Sequence, residues 1–147
     1  MTAAPATLDR AGIEALVPHT GAMCLLERVQ RWDEDSIECA ASSHLDEANP
    51  LRVDGHLPVE AAIEYAAQAM AVHGGLGGGG GAPRRGYVAV LNRIEWNDER
   101  LDGGGGELRV TAEVLQAGDD SRRYAFRVEA GGTAVSGDCL VVLEAGA

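Results

Sequence analysis

The chain contains no lysine. All twelve of its cations are arginine, set against 23 acidic residues, and the formal charge is −11. A surface so short of positive charge excludes nucleic acid and anionic membranes as partners, because both are gripped through a basic footprint. Aromatic residues are also scarce, at 4%, so the core must come from Val, Leu, Ile and Ala, which suits elements that approach each other closely. Cys24, Cys39 and Cys139 are odd in number and widely separated. They make neither a disulfide framework nor a zinc-ligand pattern, and free buried thiols in a reducing compartment are expected. No apolar run reaches the length of a membrane span, and "MTAAPATLDRAG" lacks the apolar centre of a signal peptide. The expectation is a soluble, cytoplasmic protein without a metal.

What remains is 147 residues, 46% of them apolar, enough for one domain with a real core. A single domain over residues 1–147 is expected, with residues 1–8 as a flexible N-terminus and 74–83 as a glycine-rich loop. A short helix is predicted from Asp9 to Leu16, capped by Asp9 or Thr7 and stopped by Pro18. "AMCLLERVQRW" and "SIECAASS" flank the polar "DED" as strand, turn and strand. Proline suits the first turn of a helix, so Pro58 opens a long one that ends at His73, before Gly74 and Gly75.

Beyond the glycines the apolar period changes from 3.6 to 2. "YVAVLNRIEW" places Val88, Val90, Ile94 and Trp96 on one face. "ELRVTAEVLQ" alternates through Leu108, Val110, Ala112 and Val114, "RRYAFRVEA" through Tyr124, Phe126 and Val128, and "TAVSGDCLVVLEA" completes the set. The predicted order is a short helix, two strands, a long central helix and a four-strand antiparallel meander. One alanine-rich helix covered by one large antiparallel sheet of about six strands is an α+β layer arrangement. It is the outline of a hotdog fold, although local patterns also allow other α+β topologies.

The chemistry-bearing residues gather around the central helix, in "GHLPVEAAIEYAAQAMAVH". Glu60, Glu64 and Gln68 recur every four residues along it, which is also how a solvated helix stripe looks. His73 falls in the last turn, where its charge would complement the helix dipole and its ring would cap carbonyls. His44 carries no assignment. The glycine run from Gly74 to Gly81 lacks the Lys-Ser or Lys-Thr pair and following helix of a phosphate loop, and is expected to be a mobile linker.

Two segments, "LVPHTGAMCLLERV" and "GHLPVEAAIEYAAQ", resemble the β-hydroxyacyl-acyl carrier protein dehydratases of fatty-acid synthesis, and more closely the dehydratase-like hotdog proteins of aryl-polyene pathways. The resemblance runs from Ile13 to about Leu143. It implies that a histidine from a Gly-His-Phe-Pro turn of one subunit meets an acidic residue on the central helix of its dimer partner. Glu64 falls at the acidic position. His56, in "GHLP", matches the histidine turn, but only eight positions separate it from Glu64, and an ungapped alignment on the helix puts the family histidine at Pro50. His56 is thus a replacement, a displaced equivalent or a coincidence. His19 matches the early Pro-His element beside the substrate tunnel.

Dehydration of a 3-hydroxyacyl thioester needs a base for the C2 proton, an acid for the departing hydroxide and donors for the enolate-like oxygen. The resemblance assigns these to His56, Glu64 and the backbone N–H groups of Val59 and Glu60 at the helix start. Gln68 would hold the Glu64 carboxyl, and Arg84 and Arg85 would grip a phosphopantetheine phosphate or an acidic carrier. The implied partners are acyl carrier protein or acyl-coenzyme A and a second subunit, either a copy or a related dehydratase. No cofactor is implied, since phosphopantetheine arrives with the substrate. Two other readings stay open: an acyl thioesterase using Glu64 to activate water, and a non-catalytic subunit that binds acyl chains or completes a partner's site.

Overall fold

A computed structural model describes residues 7–17, 21–80, 83–103 and 105–144. Helix α1 (Arg10–Glu14) is capped by Asp9, whose carboxylate accepts from the Gly12 N–H at 2.9 Å. It ends before Leu16 because the Leu16 N–H turns back to the Ile13 carbonyl, a tighter bond than an α-helix makes. Leu8 exchanges both backbone hydrogen bonds with Val29. The expected flexible N-terminus therefore does not extend to Leu8; residues 1–6 lie outside the described ones.

Strands β1 (Arg28–Trp32) and β2 (Ser36–Ala41) form the expected hairpin. Its turn is set by Asp33, whose carboxylate accepts from the N–H groups of Asp35 and Ser36. The segment between β2 and the long helix is irregular but tied down. Val53 and His56 exchange backbone hydrogen bonds across Asp54 and Gly55, both with positive φ, the two-residue turn that an Asp-Gly pair favours. Tyr65 anchors the segment to the helix: its hydroxyl meets the Ser43 Oγ at 2.7 Å and accepts from the Asn49 amide at 3.1 Å.

Helix α2 runs Ala61–Gly75, not Pro58 to His73. Its start is displaced because Leu57–Val59 is held extended against Glu99–Leu101: the Val59 N–H donates to the Glu99 carbonyl and the Leu101 N–H to that of Leu57. Ala62, Ala66 and Ala69 are fully buried, so the helix backbone lies close to the sheet, which these small side chains allow.

Strands β3 (Gly86–Trp96), β4 (Leu108–Ala117), β5 (Ser121–Ala130) and β6 (Thr133–Leu143) complete one antiparallel sheet in the order β1-β2-β4-β5-β6-β3. The predicted four-strand meander is thus a three-strand one, β4-β5-β6. β3 leaves the helix at the far side, pairs with β6 and becomes an edge, and the chain then returns to place β4 beside β2. The sheet wraps the single long helix in the hotdog arrangement.

The alternation predicted for β4 and β5 holds, with Leu108, Val110, Ala112, Tyr124, Phe126 and Val128 buried. That for β3 does not. Register breaks between Val88 and Val90 and between Asn92 and Glu95, with Arg93 at φ 54°, mark bulges that change which side chain faces inward. Val88 and Ile94 pack on the core, while Val90 and Trp96 are 46% and 53% exposed.

The glycine segment is no linker as far as Gly80. The Gly78 N–H donates to the His73 carbonyl, the Gly79 N–H to Glu34, and an Arg122 Nη2–H to the Gly80 carbonyl. Glycine is required at two of these places. A Cβ on Gly78 would run into the His73 ring, and Gly79 has φ +81° with Arg122 against it. Gly81 and Ala82 lie outside the described residues. Among the described residues no helix is long and apolar enough to cross a membrane.

Candidate active site

A cavity of about 290 Å³ lies between α2 and strands β3, β5 and β6. Its helix wall carries Glu64, Gln68 and the small Ala67 and Ala71; the sheet contributes Tyr87, Tyr124 and Val141. Apolar surface dominates, and Glu64 is the one carboxylate in the wall among the described residues. It is half-buried, and among the described residues no hydrogen bond or ion pair engages its side chain. Spacing by four places Glu64 and Gln68 on one helix face, and both reach the cavity.

Gln68 does not hold the Glu64 carboxyl. Its Oε1 accepts from the Leu25 N–H at 2.9 Å and its Nε2 donates to the Met23 carbonyl at 2.8 Å. The amide instead pins the chain between α1 and β1 onto the helix. The Val59 N–H is spent on Glu99, and the helix begins beyond it, so Val59 is not a free donor at the helix start. Glu60 is exposed and stands at the N-cap without capping by its side chain. His56 sits on the Val53–His56 turn and is not among the cavity-lining residues. His19 lies outside the described residues.

Arg84 lines the cavity but its guanidinium is occupied. It donates to the carbonyls of Glu144 and Asp119 and pairs with Asp120 at 3.1 Å, holding the end of β6 to the β4–β5 turn. Arg85 is exposed. Both arginines flank a groove that shares Ala71, Arg84 and Gly86 with the cavity wall.

His73 stands in the last turn of α2, as expected, but its ring caps none of the helix carbonyls. It is 0% exposed, and its ring joins two distant elements: Nε2 lies 2.8 Å from the Asp33 carbonyl oxygen and Nδ1 2.7 Å from the Tyr124 hydroxyl. A carbonyl can only accept, so Nε2 carries the proton, and in the neutral ring Nδ1 accepts from Tyr124. Trp32 packs nearly perpendicular to it, 6.4 Å between centroids. Burial pushes the His73 pKa below the ordinary 6.5, and hydrogen bonding to Asp33 only partly opposes it. His44 is also fully buried; it donates from Nε2 to the Gly106 carbonyl, and burial lowers its pKa too.

Both shifts make stability fall with acid. Just below pH 6.5 the unfolded chain takes up imidazole protons that the folded chain refuses, so stability is complete above that value and declines as the pH drops through it toward the depressed folded values. A thermal melt at about pH 5.5 should show a lower midpoint than one at about pH 7.5. Equal midpoints would mean that both rings charge without penalty.

Sequence reasoning missed Tyr124, Arg122 and Gly78 as parts of the cavity wall. Tyr124 entered only as an apolar strand position, and nothing local points to a histidine 51 residues away. Among the described residues, no group of His, Cys, Asp and Glu could hold a metal ion.

Comparison with known proteins places this geometry. A family model, ApeP-like and described as ApeP dehydratase, matches residues 11–145. No curated protein matches. Among solved structures, a chain of the dehydratase heterocomplex ApeI:P from Xenorhabdus doucetiae is similar at 21% identity, covering 90% of this chain and 91% of that one, with a TM-score of 0.72. Zebra fish thioesterase superfamily member 2 is 15% identical over 90% and 93% of the two chains, TM-score 0.63. A thioesterase from Haemophilus influenzae is 13% identical over 93% and 91%, TM-score 0.62. At such identities the structural likeness is one of fold.

Proposed function

The chain belongs to the ApeP-like dehydratase family, and from that premise we propose that it serves the dehydration of 3-hydroxyacyl thioesters, as one subunit of a dehydratase assembly in the cytoplasm. The observation that carries this reading is Glu64, a carboxylate without a partner among the described residues in the wall of an otherwise apolar cavity. In elimination, a base removes the C2 proton, electrons move into the thioester, and the C3 hydroxyl leaves as water after gaining a proton. Glu64 is the acid that supplies that proton.

The base comes from across a subunit boundary, with His56, on its exposed turn, serving the neighbouring cavity. Strand β3 supports such a partner. It is an edge of eleven residues on which Tyr87, Val90, Leu91 and Trp96 are 40–58% exposed, and an unpaired apolar edge invites another strand. The ApeI:P heterocomplex among the structural relatives favours a related dehydratase as that partner. Arg85, beside the groove that joins the cavity, would meet the phosphate of a phosphopantetheine arm, whether on a carrier protein or on coenzyme A. Three free, buried cysteines fit a reducing compartment.

The test is mass spectrometry of 3-hydroxyacyl-carrier protein incubated with the chain alone and with a related dehydratase. Loss of water, appearing or rising on mixing, is expected, and Leu91→Glu should abolish the gain by putting charge on the shared edge. No binding and no turnover in either condition would sink the reading. A thioesterase is the second reading, favoured by the absence of any described histidine from the cavity wall and by the thioesterases of the same fold. Free thiol without a 2-enoyl product would identify it.

A further inference from the structure

His44 is fully buried on the tight turn Ser43–Leu45 and takes no part in the cavity wall. Its Nε2 donates to the Gly106 carbonyl, which leaves Nδ1 as an acceptor, and that atom is buried without a hydrogen-bond partner. Through its single bond the ring ties the segment before α2 to the connection between β3 and β4. Ion pairs bracket the same connection: Arg52 and Arg100 each hold Asp102 at 3.1 Å, and Arg28 holds Glu107 at 2.7 Å.

A proton added to Nδ1 would be a buried donor without an acceptor, on a ring turned into a cation. The charged groups that act on the ring are Asp102, on the β3–β4 connection, and Arg52, on its own segment. The carboxylate is spent on two arginines, and the Arg52 Nη2 donates to the His44 carbonyl at 3.2 Å, which brings a second positive charge close. The ring must therefore leave its site to be charged. The ties to Asp102 do not respond in mild acid, because hydrogen bonding to Arg100 holds that carboxyl down at about 2. Arg52 carries the disturbance further, since its Nη1 also donates to the Gly55 carbonyl, on the turn that presents His56.

We propose that His44 is a proton-operated latch: closed while neutral, it opens in mild acid, frees the Gly106 end of the β3–β4 connection and loosens the Val53–His56 turn. The buried site admits only the neutral ring, and water admits both forms. For an imidazole whose ordinary value is 6.5, the open form gains about tenfold in weight over the closed one between about pH 7.5 and about pH 5.5. The latch acts before α2 begins, whereas His73 stands in the last turn of that helix.

Amide hydrogen exchange of the full-length protein, followed by NMR and corrected for the intrinsic effect of pH, tests this. The N–H groups of Leu45 and Asp46, bonded to Ser42 and Ser43, and those of Val53 and His56, bonded to each other's carbonyls, should lose about tenfold in protection over that interval. His44→Gln keeps a donor for Gly106 but takes up no proton, and in it the loss at these four amides should disappear. Protection that does not change with pH in the wild type, or a loss that persists in His44→Gln, overturns the latch. Should the variant fail to fold, the nitrogen resonances of the His44 ring in the wild type decide. A ring that titrates below 6.5, with the Gly106 and His56 amide shifts moving in step, supports the latch; one that titrates at or above 6.5 overturns it.

Discussion

Glu64→Gln is expected to lower the dehydration of a 3-hydroxyacyl thioester by about 10²–10⁴-fold, the usual contribution of a positioned proton donor. The amide keeps the shape of the carboxyl and its place on the cavity wall but cannot give up a proton in the same step. Glu64 makes no hydrogen bond or ion pair among the described residues, so nothing structural should be lost. The thermal midpoint, the oligomeric state and the affinity for a non-reactive thioether should stay as in the wild type. Mass spectrometry of the acyl carrier over time gives the rate. A variant that retains wild-type turnover would remove Glu64 from the chemistry. Loss of both turnover and binding would make Glu64 a binding group instead.

The largest effect on stability should come from Gly78→Val. A Cβ at this position collides with the His73 ring, and that ring cannot retreat. Its two nitrogens are bonded to elements 40 and 51 residues away in sequence, and Trp32 packs against it with the two ring planes nearly perpendicular. Relief must come from breaking those bonds or from moving the Gly77–Gly80 segment, which is itself tied to His73, Glu34 and Arg122. Overpacking of this kind costs roughly 1–3 kcal/mol, which for a chain of this size lowers the melting temperature by about 3–10 °C. Gly132→Val is the control, since a Cβ there meets nothing within 4 Å. Equal melting temperatures for the two variants would show that the segment yields freely.

Much of this architecture was legible in the sequence, and the rest fails to show for identifiable reasons. The strict alternation in β4 and β5 announces one buried face because both strands are interior, paired on each side. β3 misleads because bulges change its phase, and a bulge leaves no mark in a short apolar run. The helix start moves by three residues because Leu57–Val59 has a pairing partner about forty positions later, which outweighs the preference of Pro58 for a first helical turn. Glu64 was found through a local motif. The environments of Gln68 and His73 were not: their partners, Met23, Leu25, Asp33 and Tyr124, are separated from them by 40 or more residues. A side chain that fills a helical repeat gives no hint of which distant backbone group it serves.

Glycines deceived for a related reason. A run such as Gly77 to Gly80 looks like slack, yet here the missing side chains are what let the backbone close over an imidazole ring. Composition alone cannot separate a tether from a lid pressed flat against its support.

The edge strand carries a consequence for how the protein must be made. Cells commonly guard such edges with lysine, which this chain lacks altogether. Its bulges give only local protection, and the apolar side chains of β3 stay open until another strand covers them. Left uncovered, such an edge makes the chain sticky and draws it to its own copies. On the heteromeric reading proposed above, co-expression with that second subunit should raise the yield of dispersed protein more than any change of buffer.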